Sequence, residues 1–258
     1  MTIYTCKPEW EAMLTCIYEA SKSGLGHKNI RLMLEPVSQY TLFDNYIHVD
    51  ADSAKARKVS DALCQQISCE FYNELAYTSM AYEEDVLDNI YHVMLLGFTY
   101  GKDILNMVQY SDVMRNRQIR KRVGNEAHHF VEFLRFHMVG GISGVMGSSV
   151  YAAHIEPKSR VLPVLGVHFE DRMPSENWLI ADDVHREVIV HPANGHYYLS
   201  RPSKDEFDRL LETELINDEY TDMWKAFFDT IAIKERYNPK CQDTLFPKWT
   251  RKHAVEFL

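Results

Sequence analysis

The sequence predicts an α+β fold, mostly helical with a small antiparallel sheet in the middle of the chain. Three observations carry this. Apolar residues recur at helical spacing through the first half, short β-rich runs separated by turn signals fill the middle, and the helical period returns from Lys204. The expected organisation is a single domain over residues 1–258, helical over 1–137, sheet over 138–200 and helical again over 201–258.

Taken in order, Glu9–Ser23 reads as an amphipathic helix, because Trp10, Met13, Leu14, Ile17 and Tyr18 share one face and Gly24 stops the run. Two to three helices are expected between Asp52 and Met107. Asp52-Ser53 begins the first with capping residues, and Glu83-Glu84-Asp85 puts acids in the first turn of another, where the helix dipole favours them. A long helix is expected from Ser111 to His137, ended by Gly140-Gly141. Strands follow at Ser149–Ile155, Trp178–Ala181, Glu187–Val190 and His196–Leu199, with turns at Asp182-Asp183 and Pro192-Ala193-Asn194-Gly195. A helix at Val161–Arg172 separates the first two, and the set reads as a meander. Lys204–Tyr237 is helical in period, and a last helix is expected after Pro247.

Composition bounds the function. With 46% apolar residues the chain is globular, and no apolar stretch approaches the ~20 residues of a membrane span. The N-terminus lacks a basic stretch followed by an apolar run, so the expectation is a cytoplasmic protein with no membrane partner. Cys6, Cys16, Cys64, Cys69 and Cys241 form no C-x-x-C pair or cluster. They read as reduced thiols, and the chain does not itself hold an iron–sulfur cluster of the usual thiolate type.

A net charge of −9 argues against a general polyanion binder. Two basic islands stand against that total. Arg115, Arg117, Arg120, Lys121 and Arg122 occur with no acid between them, and six basic residues face two acids between Lys234 and Lys252. They read either as solvated helix faces or as phosphate-binding patches.

On the long helix, Ile119, Val123, Ala127, Phe130 and Leu134 form the core stripe, with Arg115, Arg122, Glu126, His129 and Phe133 on an adjacent arc. Arg122 to Glu126 is i,i+4 and Glu126 to His129 is i,i+3, so these side chains are expected to touch. His128, Glu132 and Arg135 make a second polar line. The Arg–Glu–His stripe is open to three readings: an ion-pair ladder, an acid–base site in which Glu126 orients His129 beside an anion-binding Arg122, or two ligands of a metal site. No stretch supplies three ligands at a recognised spacing, so no metal and no cofactor is expected. His154 and Glu156 share one strand face, and His168 and Arg172 share one helix face; each pair reads as a polar surface pair or as part of a site. The glycine-rich run Gly140–Ser149 lacks the Lys-Ser/Thr ending and the following helix of a phosphate loop, and reads as a helix-to-strand turn.

Several stretches together resemble a known family. They are Tyr4 through Ala20, Glu126-Ala-His-His-Phe-Val-Glu-Phe-Leu-Arg135-Phe136, Ile155-Glu156-Pro157, Leu162-Pro163 through Arg172, Trp178-Leu-Ile180 and Ile233-Lys-Glu-Arg236-Tyr-Asn238-Pro239-Lys-Cys-Gln242. This is similar to the bacterial family filed under DNA metabolism, a domain of unknown function. Its members are typically encoded beside a radical-SAM protein assigned to DNA modification or repair, and a related domain is fused to some uracil-DNA glycosylases. The resemblance spans nearly the whole chain and implies family-like positions at Glu126, His128 or His129, Phe133, Arg135, Glu156, Arg172, Arg236, Asn238, Pro239 and Gln242.

Two functions are therefore expected. One is a DNA-metabolism or repair accessory protein, with DNA (damaged or single-stranded) and a radical-SAM protein as partners. It would meet phosphates through Arg115, Arg117, Arg120, Lys121, Arg122, Arg236, Asn238, Lys248, Arg251 and Lys252. The other is an acid–base hydrolase or lyase built on Glu126 and His129, with Arg135, Glu156, His168 and Arg172 completing the site.

Overall fold

The computed structural model of the protein describes residues 1–139, 150–211, 215–216, 219–231 and 233–253. The fold is α+β, as the periodicities require. The chain divides into two compact units, Met1–Gly124 and Asn125–Leu258, where the sequence suggested one domain.

The first unit contains β1 (Thr2–Cys6), α1 (Trp10–Lys22), β2 (Ile30–Leu34), β3 (Asn45–His48), α2 (Ser53–Gln66), α3 (Cys69–Thr78), α4 (Val86–Tyr100) and the first part of α5 (Ser111–Phe133). The three strands form a parallel sheet in the order β2–β1–β3, which corrects the expectation of a helical region over 1–137. Strands of four and five residues carry little periodicity of their own. Their hydrogen-bond partners come from segments tens of residues away, which a local pattern does not reveal.

α1 lies where its spacing predicts, and buries Met13, Leu14, Cys16 and Ile17. It gives out before Gly24, whose φ of +70° is a backbone state that L side chains rarely adopt. α2 is capped as expected, since the Asp52 carboxylate accepts the N–H groups of Ala54 and Lys55 at 3.0 and 3.1 Å. Glu83, Glu84 and Asp85, expected in a first helical turn, instead precede α4, which begins at Val86.

The second unit comprises the end of α5, β4 (His137–Val139), β5 (Val150–Ile155), α6 (Leu162–Arg172), β6 (Asn177–Asp182), β7 (Glu187–His191), β8 (Tyr198–Ser200), α7 (Lys204–Leu211), β9 (Leu215–Ile216), α8 (Glu219–Ile231) and α9 (Pro239–Leu245). The sheet order is β8–β7–β6–β5–β4–β9. Every described pairing is antiparallel except β5–β6, which is parallel. The expected meander is corrected there, because a strand–helix–strand passage through α6 returns the second strand in the direction of the first.

Strand alternation puts Ala152, Leu179, Ala181 and Val188 on one sheet face, where they meet Phe207 of α7. Trp178 meets Phe169 of α6, with ring centroids 6.3 Å apart.

The long helix ends at Phe133, four residues before the expected His137, and 137–139 enter the sheet instead. The glycine-rich run 140–149 lies outside the described residues. The helix expected after Pro247 is a single 3-10 turn at Lys248–Thr250. The helical segment stands before it, at α9, where Asn238 caps the N-terminus by accepting the Cys241 N–H at 3.2 Å.

Candidate functional site

In the first unit, most of the basic run on α5 is already paired. Arg115 grips Asp85 with two hydrogen bonds of 2.7 Å, Arg120 grips Glu74 at 2.6 and 3.2 Å, and Arg122 donates to Glu83 at 2.7 Å. The guanidinium of Arg115 holds the Asp85 carboxyl below the usual carboxylate range, and Asp85 in turn raises Arg115. These three arginines tie α5 to carboxylates within the unit, so their charges are already balanced there. Arg117 and Lys121, i,i+4 on the helix, are exposed.

The expected Arg122–Glu126–His129 ladder does not form. Glu126 is 7% exposed and its carboxylate accepts the backbone N–H of Lys158 at 2.5 Å and of Ser159 at 3.2 Å. A buried carboxylate in this setting pins the loop after β5 to the helix and is not available to orient an imidazole. The second polar line does form in part, with His128 Nε2 3.0 Å from Glu132 on an exposed face.

One turn beyond Glu126, His129 lines a small cavity of about 10 Å³ in the second unit, room for about one water. The same cavity is lined by Arg135 of the chain after α5, by His154 of β5 and Glu156 just after it, and by Trp249 and His253 of the C-terminal segment. Asp183, just after β6, donates its backbone N–H to Ile155 O at 3.0 Å, which seats its side chain beside β5. His154 Nδ1 lies 3.0 Å from Asp183 Oδ1, so the imidazole N–H donates to the carboxylate. The neighbouring Asp182 is fully buried and closes the turn, accepting from the N–H groups of Val184 and His185 at 3.0 Å.

The C-terminal segment is held over the helix by aromatic packing. Phe133 stacks on Phe246 with centroids 3.8 Å apart, and Trp249 meets Phe130 edge-on at 6.1 Å. Arg251 bonds Phe246 O at 2.9 Å through Nε and Asp243 at 2.8 Å. Expected as a phosphate binder, it is a latch, with only 13% of its side chain exposed. This docking brings Lys252 onto Glu156, 96 residues earlier in the chain, and the hydrogen bond raises the Lys252 ammonium. Lys248 lies 3.8 Å from Asp243. His253 Nε2 lies 3.7 Å from Glu156 Oε1 and 3.9 Å from Asp183 Oδ2, and burial pushes its imidazole down. Among the described residues, His129 Nδ1 and His253 Nε2 find no hydrogen-bond partner, and both are buried.

Of the sequence-predicted residues, the structure brings together His129, Arg135, Glu156 and Lys252. Arg135 also packs over the Trp224 ring at 5.0 Å. His168 and Arg172 do not line the cavity; His168 sits against the Phe169 ring, and Arg172 is exposed at the end of α6. Arg236 is exposed and lies outside it too. Asn238 is a helix cap.

Sequence reasoning missed Asp183, read only as a turn residue, and His253, which no motif read from the sequence included. The only local signal was the His154-x-Glu156 pair on one strand face.

A family model described as a domain of unknown function, DUF4130, matches residues 84–256. No curated protein and no solved structure is significantly similar to the chain.

Proposed function

Since the chain belongs to the DUF4130 family, a domain of unknown function, we propose that it is an acid–base enzyme, a hydrolase or lyase, whose reaction centre is the cavity around His129, His154, Glu156 and His253. The observation that carries this reading is the convergence of three imidazoles and the Glu156 carboxylate, from three separate segments, on one cavity, with Asp183 behind His154 and His253. Leaving a buried ring nitrogen unpaired costs about 1–3 kcal/mol, and the cavity bears that cost twice, at His129 and His253. Groups kept in that state are suited to meet a substrate or a proton in transit. His129 is the general acid or base, and Arg135 at the rim supplies a cation for an anionic group. The resemblance to the family filed under DNA metabolism makes nucleic acid the substrate class of this proposal.

The test is turnover of single-stranded, abasic and uracil-containing DNA by the full chain and its His129→Ala and His154→Asn variants. A loss of about 10²–10⁴ in kcat, with the melting temperature retained, is expected for a general acid–base group. Wild-type turnover by both variants would remove the assignment.

A non-catalytic nucleic-acid-binding role is the second reading, favoured by the exposed Arg117 and Lys121 on α5. Replacing both with Gln should then flatten the salt dependence of DNA binding by about 0.7–0.9 in log–log slope for each phosphate no longer neutralised.

A further inference from the structure

We propose that Glu156, Asp183 and His253 form a binding site for a first-row divalent metal ion, the class that accepts mixed imidazole and carboxylate ligands. The inference rests on the reading of this cavity as a reaction centre, and names what would complete it.

One ligand atom from each of the three residues lies within 4.8 Å of the other two. His253 Nε2 is 3.7 Å from Glu156 Oε1 and 3.9 Å from Asp183 Oδ2. Both separations are too long for hydrogen bonds. They lie close to the edge of a coordination tetrahedron, since bonds of about 2.0–2.1 Å put neighbouring ligands about 3.4 Å apart. The nitrogen facing the two carboxylates is buried and unpartnered.

The surroundings are those of a ligand set as well. The two oxygens of Asp183 face different groups: Oδ1 accepts from His154, and Oδ2 turns toward His253. An imidazole that holds a carboxylate in this way fixes the direction of its other oxygen, which is what partners behind a metal ligand do. Lys252 places its ammonium on Glu156 Oε1, one of the ligand atoms. A cation is therefore already drawn to this point, and a metal must displace it. Three protein ligands leave a coordination position open, in a cavity that His129 also lines.

This revises the expectation of no metal, which followed from the absence of three ligands in any one stretch. The three come from the end of a strand, the turn after its parallel neighbour, and the C-terminal segment.

The competing account is a permanent ion pair in which Lys252 alone neutralises the carboxylates. The two differ in sign at Lys252. Chelator-treated full-length protein should be titrated calorimetrically at neutral pH with Zn²⁺ and, separately, Mn²⁺. One of them should bind at one ion per chain. Binding should weaken at least ~10-fold in Asp183→Asn and His253→Ala, with His253→Gln as a second variant of similar size, while far-UV circular dichroism stays unchanged. Lys252→Met should bind several-fold tighter, because the competing ammonium is gone.

The proposal is overturned if no saturable binding appears, if binding survives both ligand replacements, or if Lys252→Met binds more weakly. Turnover of DNA that survives chelation also removes the metal and leaves the acid–base reading in place. Metal bound by a chain that turns over no DNA substrate upholds the site and removes that reading.

Discussion

The two halves of α5 carry similar-looking polar residues and use them in opposite ways. In the first unit, Arg115, Arg120 and Arg122 each meet a carboxylate from another segment, and their charges are balanced where they stand. In the second unit, Glu126 is consumed by two backbone amides while His129, three residues on, keeps a buried nitrogen with no partner. Charge along a helix therefore says little about function until its partners are known. A buried polar atom left unsatisfied is informative because folding tends to eliminate such atoms, and His129 and His253 share one cavity, unlike Glu83, Ser159 and His191.

The sharpest way to break the contrast is at Glu126. If its carboxylate only holds the loop, Glu126→Gln should destabilise the protein by about 2–4 kcal/mol, since one side-chain acceptor becomes a donor facing a buried N–H. Urea denaturation measures this. A variant as stable as the wild type that has lost its activity would return Glu126 to the catalytic role first read from the sequence.

A smaller effect is expected at Arg122. Its removal strands Glu83, whose side chain is 8% exposed and whose Oε2 already lacks a hydrogen bond. Arg122→Gln should cost about 1–2 kcal/mol, between the ranges for exposed and buried pairs. Arg117→Gln and Lys121→Gln should stay within about 0.5 kcal/mol of the wild type by the same measurement. Equal costs at all three positions would erase the distinction between tied and free cations.

The smallest effect is a dependence on pH. Asp85 has its folded pKa depressed by Arg115, so the pair stabilises the fold above the ordinary carboxylate pKa of about 3.9 and loses that contribution as pH falls through the lower folded value. The deficit of Asp85→Asn relative to wild type should thus shrink on acidification below about pH 4. A deficit that stays constant down to about pH 2 would mean that Asp85 acts through its shape and not its charge.

Much of the fold was legible because helices announce themselves locally. Of the core stripe, Ile119, Val123, Ala127 and Phe130 are buried as the period requires, whereas Leu134 falls past the end of the helix and is only half-buried; α1 and α6 lie within a residue of the expected bounds. The strands β5 to β8 were also readable, since turn signals bracket them. Less legible were β1, β2 and β3, which are defined by pairing with distant segments rather than by their own pattern. The direction of β6 was implicit in the helix before it, but a pattern of short strands alone reads as a meander.

The candidate site divides in the same way. By itself, the sequence determined that this is an α+β chain with a long amphipathic helix, that His154 and Glu156 stand two residues apart at the end of a β-rich run, and that His129 sits beside the core stripe. Those are consequences of backbone period, which any short window contains. Only the tertiary structure decided that Glu126 faces backbone amides and that three arginines are already paired. It alone decided that Asp183 and His253 join Glu156. Hydrogen-bond partners and ligand sets depend on which distant segments fold together, and side-chain spacing along the chain does not encode that.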